Sequence, residues 1–113
     1  MHELGQISAM VKSIERIVKD QGLSEVQKIV LEVGELSGVV PHYMEACYPA
    51  AVYKTFMENT ELELETIPGI VRCRDCGREF NATAHDFHCP GCNGQDMEIL
   101  SGNDVLIKEI QCI

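Results

Sequence analysis

Four of the six cysteines in this 113-residue chain stand in two pairs, Cys73-Arg-Asp-Cys76 and Cys89-Pro-Gly-Cys92, separated by twelve residues. The spacing C-x2-C-x12-C-x2-C constrains the fold more than any other feature. Each C-x2-C turn aims two sulfurs at one point, so two such turns read as a tetrahedral metal site. Gly77 after the first pair and Pro90-Gly91 inside the second suit tight turns whose amides face the sulfurs, where thiolate charge requires donors. Reduced structural cysteines and a rubredoxin-like iron site are the competing readings. Four thiolates leave no open coordination position, which makes the ion, read here as Zn(II), structural and not catalytic. The segment from about residue 71 to 100 is too short to bury a core of its own and requires its ion to fold.

The remaining sequence reads as a small α+β unit. Leu4, Ile7, Val11, Ile14 and Val18 recur at steps of three and four, which predicts an amphipathic helix from Glu3 to Asp20, stopped by Gly22. "VQKIVLEV" alternates Ile29, Leu31 and Val33 against Lys28, Val30 and Glu32, as a half-buried strand does, and "GELSG" follows as a turn. Pro41 opens a second helix bearing Met44, Cys47, Tyr48, Ala51, Val52 and Phe56, which Pro49 is expected to kink or divide. "TELELETI" sets Leu62, Leu64 and Thr66 opposite Glu61, Glu63 and Glu65, and "DVLIKEI" reads as a last strand. A crossover through a helix makes the first two strands parallel, whereas the last returns from an excursion and pairs antiparallel. The expected architecture is two helices on a three-stranded mixed sheet with an inserted zinc-ribbon-like module. Its parts are residues 1–70 plus 101–113 and residues 71–100.

Charge limits what such a chain can bind. Nine Lys and Arg against eighteen Asp and Glu give a net charge of −9, with no basic run to neutralise phosphates, so nucleic acid is not an expected partner. No stretch reaches the roughly 20 apolar residues that cross a bilayer. No basic then apolar leader opens the chain, and the expected location is the cytoplasm. No acid, base or nucleophile groups fall at catalytic spacing, which argues against an enzyme. A zinc-ribbon adaptor or nucleic-acid module would have only Arg72, Arg74 and Arg78, with Phe80 and Phe87, to work with.

The opening "MHEL", the strand ending "VGELSG" and the late C-x2-C pairs together resemble the HypA family of hydrogenase nickel incorporation proteins, over essentially the whole chain. The resemblance implies a nickel metallochaperone, not an enzyme, that passes Ni(II) to the large subunit precursor of [NiFe]-hydrogenase and acts with the GTPase HypB. It maps the zinc ligands onto Cys73, Cys76, Cys89 and Cys92, and the nickel site onto Met1, His2 and Glu3. Taken alone, a histidine at position two reads as a solvated terminal residue. With the resemblance, the Met1 amine, the adjacent backbone amide and the His2 imidazole form a chelate of the nitrogen donors that Ni(II) favours. Glu3 reads either as a ligand or as a first-turn acid that suits the helix dipole. His42 or a partner's residue could complete the sphere. His85 and His88 read as loop residues, Cys47 and Cys112 as core or terminal thiols, and Glu35 as a turn acid or a partner contact.

Overall fold

A computed structural model describes residues 3–112. Helix α1 (Glu3–Gln21) is followed by strand β1 (Val26–Gly34), helix α2 (Pro41–Val52) and strand β2 (Glu61–Ile67). Three short strands, β3 (Ile70–Cys73), β4 (Glu79–Asn81) and β5 (Met97–Ile99), precede β6 (Val105–Cys112). Two three-stranded sheets result, ordered β2-β1-β6 and β4-β3-β5. In the first, β2 runs parallel to β1 and β6 antiparallel, as the connections require. The fold is therefore α+β with a mixed sheet, and the cysteine-bearing segment is inserted in the chain between β2 and β6 of that sheet.

The helices cover the first sheet because one stripe of each is apolar. Ile7, Met10, Val11 and Ile14 from α1 bury with Ile29, Leu31 and Val33 from β1 and with Met44, Tyr48 and Val52 from α2. Gly22, at φ 65°, ends α1 in a left-handed turn that lets the Leu23 amide reach the Val18 carbonyl at 3.0 Å. A second cluster of Val71, Cys73, Phe80, Ala82 and Cys89 belongs to the smaller sheet. With two cores, the molecule measures 53 × 26 × 17 Å and has a radius of gyration of 17.2 Å, against about 13 Å for a compact chain of this size.

Four details depart from the sequence reading. Leu4 continues the apolar stripe of α1 yet is 49% exposed, because it borders an open groove with Tyr43 and Ala46 and not the sheet. Val30, assigned to the polar face, is buried, since β1 is the central strand and sets Val30 between Glu63 and Glu109 in register. Pro49 does not divide α2, which runs unbroken to Val52. The carbonyl that loses its partner belongs to Glu45, an exposed residue in the middle of the helix, so the lost bond faces solvent and not the core. Phe56 lies beyond the helix and is 42% exposed, while Met57, next in sequence, is fully buried.

The turn after β1 is where the two sheets join. The Gly34, Glu35 and Leu36 amides donate to the carbonyls of Asp104, Ile67 and Gly102, so both chain crossings between the sheets are tied to one turn. Gly34 packs against Gly102 so closely that a Cβ there would collide with the Gly102 carbonyl. Glu35 adds its carboxylate: Oε1 accepts the Gly69 amide at 2.8 Å and the Asn81 side-chain amide at 3.0 Å.

Candidate metal centre

Both cysteine turns are built alike. The Cys73 amide donates to the Arg78 carbonyl and the Cys73 carbonyl accepts from Gly77, each at 2.8 Å. The Cys89 amide donates to the Gly94 carbonyl at 2.9 Å, and its carbonyl accepts from Asn93 at 2.8 Å. The same two bonds, four and five residues on, close each turn around its second cysteine. The residue after that cysteine must then adopt a left-handed backbone, and Gly77 (φ 80°) and Asn93 (φ 61°) do so.

Four sulfurs converge as a result. Cys73 and Cys92 stand 3.5 Å apart, Cys76 and Cys89 3.4 Å apart, and all four Sγ atoms lie within 4.8 Å of one another. A tetrahedral ion with metal–sulfur bonds of about 2.3 Å requires sulfurs about 3.8 Å apart, so the cluster fits one ion of that kind. Cys73 and Cys89 are buried, whereas Cys76 and Cys92 are exposed. Backbone amides of Cys92 and Gly91 hold the Cys89 thiol down to about 6. The Gly94 amide pulls on Cys92 in the same sense, but the sulfur of Cys73, burial and the remaining thiols push it up to about 12. Four such neighbours cannot all ionise unless a cation sits among them, and binding one converts repelling thiols into ligands.

The two histidines of this region are engaged elsewhere. His88 holds the Asp86 carbonyl through Nδ1 and the Gln95 side chain through Nε2, both at 2.7 Å. His85 meets Phe80 edge to face at 5.8 Å. Neither joins the sulfur cluster. Arg72 pairs with Glu79 and Glu98, and Arg74 with Asp96, which leaves little cationic surface for a nucleic-acid backbone.

Of the nickel ligands implied by the resemblance, Met1 and His2 lie outside the described residues. Glu3 is described: it is 3% exposed, and Oε2 accepts the amide of Val40 at 3.2 Å. Val40 precedes the first residue of α2 and has no side-chain cap of its own. Glu3 thus supplies a carboxylate to a helix N-terminus from another element, a role no local pattern reveals. His42 is exposed on the first turn of α2, its ring 6.0 Å from that of Tyr43. Glu35 proves to be the joint between the sheets, which the sequence reading missed because both partners are remote in the chain.

A tetrathiolate centre on a small sheet, attached to a separate layer of two helices on a mixed sheet, defines a metal-handling protein of two joined parts. No helix among the described residues is long and apolar enough to cross a membrane. Over residues 1–112 the chain matches the family described as hydrogenase/urease nickel incorporation metallochaperone, and it belongs to that HypA family. It is 35% identical over 111 residues to the hydrogenase maturation factor HypA of Geobacter metallireducens, covering 98% of each chain. It is 36% identical over 113 residues to that of Nostoc, covering 98% of this chain and 95% of the relative. The fold is similar to that of the solution structure of the Ni metallochaperone HypA from Helicobacter pylori, with a TM-score of 0.73 at 19% identity, covering 100% of this chain and 98% of that one. The function follows from membership: nickel incorporation as a metallochaperone in hydrogenase maturation.

Proposed function

We propose that the chain carries Ni(II) at its N-terminus, through the Met1 amine, the His2 imidazole and Glu3, and hands it to the large subunit precursor of [NiFe]-hydrogenase. The observation that carries this reading is the family match, which spans both "MHEL" and the four cysteines. An amine, a backbone amide and an imidazole from two consecutive residues supply the nitrogen donors and tetragonal geometry that Ni(II) favours. Glu3 contributes through its backbone or its carboxylate, of which Oε2 also accepts the Val40 amide.

The ion at Cys73, Cys76, Cys89 and Cys92 is Zn(II) in this proposal, since a closed set of four thiolates suits a d10 ion without redox chemistry. It stabilises residues 71–100 as a unit, while residues 1–70 and 101–113 form the part that carries nickel. The chain acts without catalysis of its own. It has no Gly-rich phosphate loop, and the GTPase HypB supplies the energy for directional transfer. The cytoplasm is the compartment this reading requires, because thiols stay reduced there.

The test is a nickel titration of the zinc-loaded protein with its native N-terminus, followed by X-ray absorption at the nickel edge. One nickel per chain, surrounded by nitrogen and oxygen and including an imidazole, is the expected result. A nickel shell made of sulfur would assign the cargo to the cysteines and overturn the proposal.

A further inference from the structure

The sulfur cluster opens to solvent at a cleft of about 400 Å³ lined by Cys76, Gly77, Arg78, Gly91 and Cys92. That volume falls within the roughly 300–1,000 Å³ of small-ligand sites. Cys73 and Cys89 are buried, so Cys76 and Cys92 are the two sulfurs that a molecule from solvent can meet. Arg78 stands beside them. Its carbonyl closes the first cysteine turn by accepting the Cys73 amide at 2.8 Å, and its side chain crosses to the second. There Nε and Cζ come within 3.1 Å of where a Cβ on Gly91 would stand, so the guanidinium lies across Gly91 in space that a side chain would fill. Arg72 and Arg74, the other arginines of this sheet, are paired with Glu79, Glu98 and Asp96, whereas Arg78 has no carboxylate at ion-pair distance among the described residues.

The charge of Arg78 bears on what can reach the metal. Four thiolates around one divalent ion carry an excess of negative charge, which repels anions arriving from solvent. Around Gly94 the repulsion grows, because the Asp75 carboxylate packs there with the sulfurs of Cys73 and Cys92. At the cleft Arg78 reverses it, and a planar guanidinium holds a carboxylate through two parallel hydrogen bonds. We propose that the cleft binds a small thiol bearing a carboxylate, which Arg78 holds while the thiol exchanges with Cys76 or Cys92 at the metal. The exchange balances: the incoming sulfur bonds to the ion, the bond to one exposed cysteine breaks, and the proton of the incoming thiol passes to the sulfur released. Oxidation states are unchanged throughout. Run backwards, the same steps load the cluster from a thiol-bound ion. The inference rests on the reading of the cluster as a Zn(II) site.

The experiment uses the full zinc-loaded chain and two thiols that differ in one group, N-acetylcysteine and its amide. Released zinc is trapped by a chromogenic chelator, the rate in chelator alone is subtracted, and the rate constant with each thiol is read in the parent, Arg78→Gln, Arg78→Lys and Arg74→Gln, after zinc content is measured in each. Arg78→Gln should lower the rate with the acid about fivefold, the upper end for an exposed ion pair, and leave the rate with the amide within about twofold. Arg78→Lys, which keeps the charge and loses the fork, should fall between. Arg74→Gln should keep the parent's ratio of acid to amide rates within about twofold, since its guanidinium faces Asp96. In the parent that ratio should shrink as salt is raised, a result that needs no variant. Release that quickens equally with both thiols in Arg78→Gln would show that the arginine only steadies the thiolates, and overturns the site. A ratio unchanged by Arg78→Gln, lowered as far by Arg74→Gln, or indifferent to salt overturns it as well. A parent protein that holds no zinc defeats the metal assignment before any rate is compared, and this inference falls with it.

Discussion

The Glu35 carboxylate accepts the Gly69 amide at 2.8 Å, and through the same oxygen the Asn81 side chain at 3.0 Å, so one acid at the end of the larger sheet grips the smaller sheet at two points. The Gly69 amide first, then Asn81, hold this carboxyl below the usual range. A lowered folded-state value means that its contribution is complete above the ordinary glutamate value of about 4.3 and is lost as pH falls through the lowered value. Glu35→Gln should therefore melt below the parent at neutral pH, with the gap closing as acid is added below about pH 4. Thermal unfolding of both proteins across that range is the measurement. A gap that does not vary with pH would mean that the charge of Glu35 plays no part in the joint.

The exchange of roles between Phe56 and Met57 gives a sharper test of the packing. After α2 ends at Val52, Lys54 takes a left-handed backbone at φ 58°, and the turn rotates Met57 into the core and Phe56 out. Met57→Ala should cost about 2–5 kcal/mol, as truncation of a buried methionine does. Phe56→Ala should cost less than about 1 kcal/mol, because the ring already meets water. Urea unfolding monitored by circular dichroism distinguishes these outcomes, and the reverse ranking would mean that the helical face read from sequence continues past Val52 after all.

What could be read from sequence was local. Each cysteine turn is closed by hydrogen bonds spanning four and five residues, so Cys73, Cys76, Cys89 and Cys92 announce themselves by spacing. The α1 stripe and the β1 and β2 alternation likewise repeat within one element. Glu35 binds partners 34 and 46 residues away, and Glu3 meets Val40 at a distance of 37 residues, pairings that depend on the complete topology. Leu4 failed for a related reason: periodicity tells which face a residue occupies but not whether another element covers that face at its end. The proline in α2 misled because its cost depends on where the unpaired carbonyl lies, and that carbonyl belongs to an exposed residue, Glu45.

The metal cluster should stabilise only its own part of the chain. Structural zinc contributes on the order of 10–16 kcal/mol in small modules at neutral pH, far more than the cluster of Val71, Phe80 and Ala82 can provide. With Cys89→Ser and the ion removed, amides of residues 71–100 should exchange at nearly unfolded rates, while those of α1 and β1 keep their protection. Amide exchange read by residue measures both regions in one sample. Retained protection across the module would show that it folds on its own packing.

An extension at the N-terminus separates the amine of Met1 from the side chain of His2. Adding a few residues ahead of Met1 turns the amine into an amide, a far poorer donor near neutral pH, while every side chain survives. Helix α1 should persist, because Ile7, Met10, Val11 and Ile14 hold it to the sheet whatever the charge at its start. Zinc content should stay at one per chain, since the four cysteines proposed to hold it lie between residues 73 and 92, away from α1. Nickel affinity should fall about as far as in His2→Ala, and combining the two changes should cost little more, because in the proposed site both dismantle one chelate. Acidification should weaken nickel in the native protein as well: protons compete for the amine below about 8 and for the imidazole below about 6.5. A nickel titration of the native, extended, His2→Ala and combined proteins, with helicity and zinc checked in each, supplies all of these comparisons. Full affinity in the extended protein would remove the Met1 amine from the site and direct the search for nickel ligands to exposed His42, on the first turn of α2.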